Sequence, residues 1–199
     1  LELELIPGNS PTHGVLVASL SQHGMRNSPA PVQTNPFVNL TNGWAHFYAQ
    51  RSRRLKKSNN WVANRLGRTG KSVTLKWVRG GSQNRVEFNH AMETAIGISA
   101  RSWKQETGLT LDRPGPNAFF RRIVQHAADN GWLSLWIMSL DSVPVATEFQ
   151  LIHAEQVHAL RADFDKAFHE LSVGSYLNWK QLEKLFSASF VHHVYRARI

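Results

Sequence analysis

Between residues 132 and 186 the pattern of apolar and polar positions shifts from strand-like runs to a helical spacing. LSLWIMSL (133–140), PVATEFQLI (144–152) and QVHALRAD (156–163) are short apolar-rich runs, broken at Asp141-Ser142 and His153-Ala154-Glu155. Runs of that length and punctuation predict three strands in a meander. A turn carrying Ser172-Val173-Gly174-Ser175 follows and opens a helix. A glycine turn leading into a helix outlines an anion site, because the first N–H groups of a helix lack internal partners and its dipole favours a phosphate. The expectation is a ligand with a pyrophosphate, with acyl transfer from coenzyme A as the chemistry to test.

The remaining elements follow from the same periodicities. LELELI (1–6) alternates as an edge strand, and Ser10 or Thr12 caps a short helix through Val15, Leu16 and Leu20. Residues 27–36 hold three prolines and read as a connector before a short strand at 37–40. Thr41-Asn42 caps a helix with Trp44, Phe47, Tyr48 and Leu55 on one face, ending near Ser58-Asn59-Asn60, and a second segment reaches Leu66. SVTLKWV (72–78) alternates as a strand with Val73, Leu75 and Trp77 on one side. Phe88, Met92, Ala95, Ile96, Ser99 and Trp103 keep the helical period up to a stop at Glu106-Thr107-Gly108. A proline loop precedes a helix opened by Asn117 and closed by Asn130-Gly131. This order predicts an α+β fold around a mostly antiparallel central sheet flanked by helices.

Composition narrows the function classes. The chain has 199 residues, 42% hydrophobic, with seven Trp and ten Phe, enough for a substantial ordered core. It has no cysteine, which excludes disulfides, thiolate metal sites and thiol nucleophiles. No apolar run approaches a membrane span and no leader pattern opens the chain. The expected location is therefore cytoplasmic, with the inner membrane face as the alternative. The net charge of +9 is uneven: residues 5–86 contain no acid, while residues 51–85 hold eleven Lys and Arg. Such a stretch is either a solvated helix face or an attractor of a polyanion such as a nucleotide, tRNA, an acidic glycan or a membrane surface. The neighbouring aromatics, Trp44, Phe47, Tyr48, Trp61 and Trp77, have the spacing of core positions.

Several local motifs together carry a family resemblance. Ser102-Trp103-Lys104 through Gly108, Ala118-Phe119-Phe120, Gly131-Trp132-Leu133, Pro144-Val145-Ala146-Thr147-Glu148-Phe149, Ala162-Asp163-Phe164-Asp165 and Leu171-Ser172-Val173-Gly174-Ser175-Tyr176-Leu177 occur in this order. The series resembles the acyltransferase domain of the CelD-like cellulose-biosynthesis proteins, which belong to the GNAT superfamily and are related to the FemAB aminoacyltransferases. The resemblance covers residues 35–186. It implies a GNAT-like fold over residues 36–199, with residues 1–35 a connector or remnant of an upstream lobe in a larger two-lobed protein. Two departures stand out. Val173 replaces the family's usual proline, and the tail from Phe186 to Ile199 lacks the family's closing motif, so the final strand pair is expected to be missing or altered.

The resemblance also implies roles. An acceptor amine or hydroxyl attacks a thioester directly, which needs a base, an oxyanion contact and a pyrophosphate cradle. Ser172, Gly174 and Ser175 map to the cradle for acetyl-CoA or another acyl-CoA; an ordinary helix cap at Ser172 is the alternative. Glu148 is the candidate base, sharing a strand face with Ala146 and Gln150 while Val145, Phe149 and Leu151 face the other way. A solvent-facing position for Glu148, or His153 or His158 in its place, stays open. Trp103 and Lys104 are candidates for the substrate pocket, Trp103 equally for the core. Arg161 and Asp165 match a basic and an acidic family position, to meet substrate or to organise the loop before the turn. No metal site is expected, since His192-His193 cannot converge on one ion. Gly67 to Ser72 has only the end of a phosphate-binding loop motif. Three readings remain: acyl-CoA-dependent N- or O-transfer to a sugar or amine acceptor of a bacterial envelope or exopolysaccharide precursor; aminoacyl transfer from charged tRNA; and a non-catalytic module that binds a polyanion or partner.

Overall fold

The computed structural model describes residues 10–26, 37–80, 85–188 and 194–196. The predicted strand at residues 1–6, the connector at 27–36 and the pair His192-His193 lie outside them. The chain separates into two compact units, residues 1–35 and 36–199. In the first, helix α1 (Pro11–Gln22) starts at Ser10, whose Oγ accepts from the Thr12 N–H at 3.2 Å, with Pro11 presetting φ.

The second unit contains β1 (Phe37–Asn39), α2 (Trp44–Ala49), α3 (Arg53–Arg68), β2 (Val73–Arg79), α4 (Arg85–Ala100), α5 (Pro114–Asp129), β3 (Leu133–Leu140), β4 (Val143–His153), β5 (Gln156–Phe164), α6 (Val173–Leu185) and β6 (Val194–Arg196). It is the α+β arrangement expected. Six strands form one sheet in the order β1-β6-β5-β4-β3-β2, antiparallel throughout except for the parallel pair β5–β6. The tail therefore does supply a strand beside the meander, although its sequence departs from the family pattern. Among the described residues no helix is long and apolar enough to cross a membrane.

The meander turns where the sequence breaks. Asp141 and Ser142 have φ of 48° and 68°, and Ala154 and Glu155 have φ of 48° and 61°. Paired left-handed residues twist a two-residue hairpin loop the way its strands twist. Alternation along β3 then divides the core. Leu133, Leu135 and Ile137 pack with Phe149 under α4 and α5, whereas Trp136, Met138 and Leu140 pack with Leu66 of α3 and Val173 and Leu177 of α6. The sheet thus lies between two helical layers. Gly80 is held tightly at the end of β2, since a Cβ there would fall 2.6 Å from the backbone of Gly131.

Several predicted boundaries move, each for a local reason. The aromatic helix breaks at residues 50–52, because Ser52 Oγ accepts from the Leu55 N–H at 3.2 Å and starts α3 there. Asn59 and Asn60 remain inside α3. α5 begins three residues before Asn117, with Pro114 in its first turn; Asn117 instead donates to the Leu111 carbonyl at 2.7 Å. Trp103 lies in a separate 3₁₀ turn, Trp103–Thr107, beyond the end of α4. Strict alternation along β4 also fails. The pairing slips between Met138 and Ser139, which leaves Val145 unpaired and puts it in the same core cluster as Ala146.

Candidate active site

β6 pairs with only Gln156, Val157 and His158 of β5. From Ala159 to Phe164 that edge of β5 has no strand neighbour among the described residues, and its outward N–H and C=O groups face a cleft. The separation coincides with a bulge. Phe149 pairs with Arg161 but Gln150 pairs with Ala159, so Leu160 is an extra residue that bends β5. The cleft has a volume of about 1110 Å³. α2, α3 and α6 form its other walls.

Glu148 sits on the cleft wall and is 4% exposed. Its Oε1 accepts from Gln150 Nε2 at 2.9 Å. Gln150, fully buried, in turn accepts from Ser134 Oγ at 3.0 Å and Trp136 Nε1 at 3.2 Å, and Ser134 Oγ accepts from Trp77 Nε1 at 2.9 Å. A run of hydrogen bonds from β2 through β3 to β4 thus fixes the orientation of the Glu148 carboxylate. The solvent-facing alternative for Glu148 is not the arrangement found.

Lys104 and Arg161 meet on the same wall around one carboxylate. Lys104 Nζ lies 2.8 Å from Asp163 Oδ1 and donates to the Ala162 carbonyl at 2.6 Å. Arg161 Nε donates to Asp163 Oδ2 at 2.6 Å, and its Nη2 reaches Ser99 Oγ at 3.1 Å and the Leu109 carbonyl at 2.7 Å. The Asp163 side chain is 1% exposed. With the Glu148 carboxylate on the same wall, two cations face two carboxylates and the charges balance. Trp103, half exposed, lines the cleft beside Lys104.

α6 opens at the end of the cleft. Ser172 precedes it with φ 52° and ψ 40°, and its side chain makes no capping bond. The first turn contains no acidic residue and lacks a side-chain cap, so its N–H groups keep their capacity for an anion. Gly174 and exposed Ser175 line the cleft, and a Cβ at 174 would come 3.2 Å from the Phe164 ring. The glycine therefore lets α6 close against the end of β5. Val173 takes the first helical position, where proline is favoured, and fills it with a fully buried side chain.

Four candidates are not brought to the cleft. Ser172 is not on its lining. Asp165 caps the 3₁₀ turn Lys166–Leu171, where its Oδ1 accepts from the Ala167 N–H at 3.0 Å and its Oδ2 from Arg101 Nε at 2.6 Å. It organises the segment between β5 and α6. His153 packs edge-on to Trp132, and neither His153 nor His158 lines the cleft. Among the described residues no group of His, Asp and Glu could hold a metal ion.

The aromatic wall was not anticipated as part of the site. Trp44 stacks on Tyr48 at 4.9 Å and Tyr48 on Trp179 at 6.3 Å, and all three line the cleft with Phe47. Among the described residues Trp179 Nε1 has no hydrogen-bond partner, an orphaned donor on this wall. The helical spacing of Trp44, Phe47 and Tyr48 was the available signal, but it is identical for a core face and for a cleft face.

A sheet that opens beside an uncapped helix start defines the class of protein. Residues 53–194 match the family described as an acetyltransferase (GNAT) domain, and the chain belongs to it. A search of curated proteins finds no match. Among solved structures, a conserved protein of unknown function from Bacteroides thetaiotaomicron is similar at 11% identity and a TM-score of 0.54, over 96% of this chain and 67% of that one. The C-terminal domain of a protein assigned as a lysylphosphatidylglycerol synthetase from Agrobacterium fabrum is similar at 11% identity and a TM-score of 0.52, over 83% of this chain and 46% of that one. The chain thus spans less than half the length of that structure. PaiA N-acetyltransferase from Thermoplasma acidophilum, in complex with coenzyme A, aligns at 14% identity and a TM-score of 0.43, over 60% of this chain and 75% of that one. The likeness to the first two concerns the fold.

Proposed function

We propose that the protein is an acyl-CoA-dependent N- or O-acyltransferase whose acceptor is a sugar or amine of a bacterial envelope or exopolysaccharide precursor. The observation that carries the transferase reading is the open edge of β5 running toward the uncapped start of α6. An extended pantetheine arm offers amides that an unpaired strand edge binds as it would another strand. The pyrophosphate then meets the first N–H groups of α6, with Gly174 and Ser175 as its contacts. No acidic side chain in that turn opposes it.

In this reading the acceptor nitrogen or oxygen attacks the thioester carbon, forming the new C–N or C–O bond as the C–S bond breaks. Glu148 takes the proton that the nucleophile releases, and the coenzyme leaves as a thiolate that is protonated from solvent. Gln150 holds Glu148 in place for that transfer. The rings of Trp44, Tyr48 and Trp103 shape the acceptor side, and Lys104 and Arg161, paired with Asp163, lie beside it. Thiol release from acetyl-CoA and longer acyl-CoAs, measured against a panel of amino and hydroxyl sugars, tests the proposal. Acceptor-dependent release is expected from the parent protein, falling about 100-fold or more in Glu148→Gln. Equal release by the two proteins would remove Glu148 from the mechanism.

A further inference from the structure

α3 carries a second feature, on a face that the cleft does not use. Residues 51–71 contain eight Lys and Arg and no acid. Four of these cations are already committed. Arg51 lies over the Phe47 ring, Lys56 donates to the Ala49 carbonyl, Arg65 pairs with Glu170 and Lys71 with Asp141. Arg53, Arg54, Lys57 and Arg68 are exposed and have no hydrogen-bond or ion-pair partner among the described residues. Arg54, Lys57, Trp61 and Arg68 recur at intervals of three, four and seven residues, so they share one stripe of the helix. Trp61, 51% exposed, lies in the middle of it, with the Arg65 guanidinium 4.9 Å over its ring.

We propose that this stripe binds a single strand of nucleic acid, with the free cations on phosphates either side of Trp61 and an unpaired base stacked on that indole. At 1.5 Å per residue the stripe from Arg54 to Arg68 is about 21 Å long, the reach of a few nucleotides. Unpaired cations on a rigid helix neutralise phosphates without first breaking an ion pair. An exposed indole among them is a stacking platform, which a duplex with its bases already stacked does not use. A lipid surface fits less well. Of the other apolar positions of α3, Val62 and Leu66 are buried in the core at 4% and 2% exposure and Leu55 faces the cleft, so the stripe has Trp61 alone to insert.

The test is fluorescence anisotropy of the full chain with labelled 15-nucleotide oligo(U) RNA and oligo(dT) DNA across a salt series. The expected result is saturable binding to at least one strand, with a slope of log affinity against log salt of about −2 to −3. Trp61→Ala should weaken binding about tenfold or more. The triple variant Arg54→Gln, Lys57→Gln, Arg68→Gln should abolish most of the salt dependence. Both variants should keep the parent's melting temperature and its acetyl-CoA affinity, so the outcome is independent of the transferase reading. Three results would overturn the proposal: no binding to either strand, polyphosphate competing equally while Trp61→Ala has no effect, or attachment to vesicles containing phosphatidylglycerol without strand binding.

Discussion

Gln150 donates its Nε2 hydrogen to Oε1 of Glu148 at 2.9 Å, and both side chains are buried on the same strand. Gln150 has hydrogen-bond partners at both ends of its amide, so it holds the carboxylate and cannot turn away to solvent. Replacing it with Leu leaves Ser134, Trp136 and Glu148 each short of a partner. The expected cost is about 1–3 kcal/mol of stability, read from urea unfolding. In the transferase reading turnover should fall with little change in the KM for acyl-CoA, because Gln150 acts through Glu148.

Asp163 supplies the next prediction. Its carboxylate is desolvated and depends on Lys104 and Arg161 together. Removing one partner of a buried pair costs about 3–5 kcal/mol, well above the value of an exposed pair such as Lys166–Glu106. Here the second cation remains, so Lys104→Met should cost less than that, about 1–2 kcal/mol. The double variant Lys104→Met, Arg161→Met should cost more than the sum of the two singles, which a double-mutant cycle of unfolding free energies measures.

The start of β2 is tied to the β3–β4 turn through Asp141. Hydrogen bonds from Lys71 and from the Ser72 N–H hold its carboxyl below the ordinary carboxylate value. A depressed folded value means that the contribution is present above the unfolded pKa, about 3.9, and is lost as the pH falls through the folded value. Parent and Asp141→Asn should therefore differ in stability at pH 7 and converge toward pH 2–3 in chemical denaturation. A difference that grows on acidification would contradict the assignment.

Ala154 occupies a left-handed conformation at φ 48° that costs an L-residue about 1 kcal/mol. Asn adopts it more readily and is favoured in this kind of hairpin loop. Ala154→Asn should raise the midpoint of urea unfolding, with a gain of about 0.5–1 kcal/mol and an unchanged slope.

The meander, the glycine turn and α6 were legible because each leaves a mark in a single stretch of sequence: period-2 runs, turn residues, then a helical period. The bulges at Val145 and Leu160 were not. One extra residue in a strand changes no local composition, yet it determines which side chains share a face and where β5 bends away. Trp44, Phe47 and Tyr48 have the spacing of core positions, and a helical stripe of rings does not say whether it meets a core or a cleft. Glu148, Lys104, Arg161, Gly174 and Ser175, far apart in the sequence, line one cleft. Asp165, matched to an acidic family position, takes the second of its two expected roles, as the cap and ion-pair partner of the segment before α6.

Calorimetric titration with acetyl-CoA probes the start of α6 without any knowledge of the acceptor. Saturable one-site binding is expected, weakening at least about tenfold in Ser175→Glu, where a carboxylate is placed at the start of α6, while the melting temperature stays unchanged. Ser175 is exposed, so the substitution leaves the core intact. Absence of binding by the folded parent protein, or binding that Ser175→Glu leaves unaltered, would contradict the proposal that acyl-CoA binds at the start of α6.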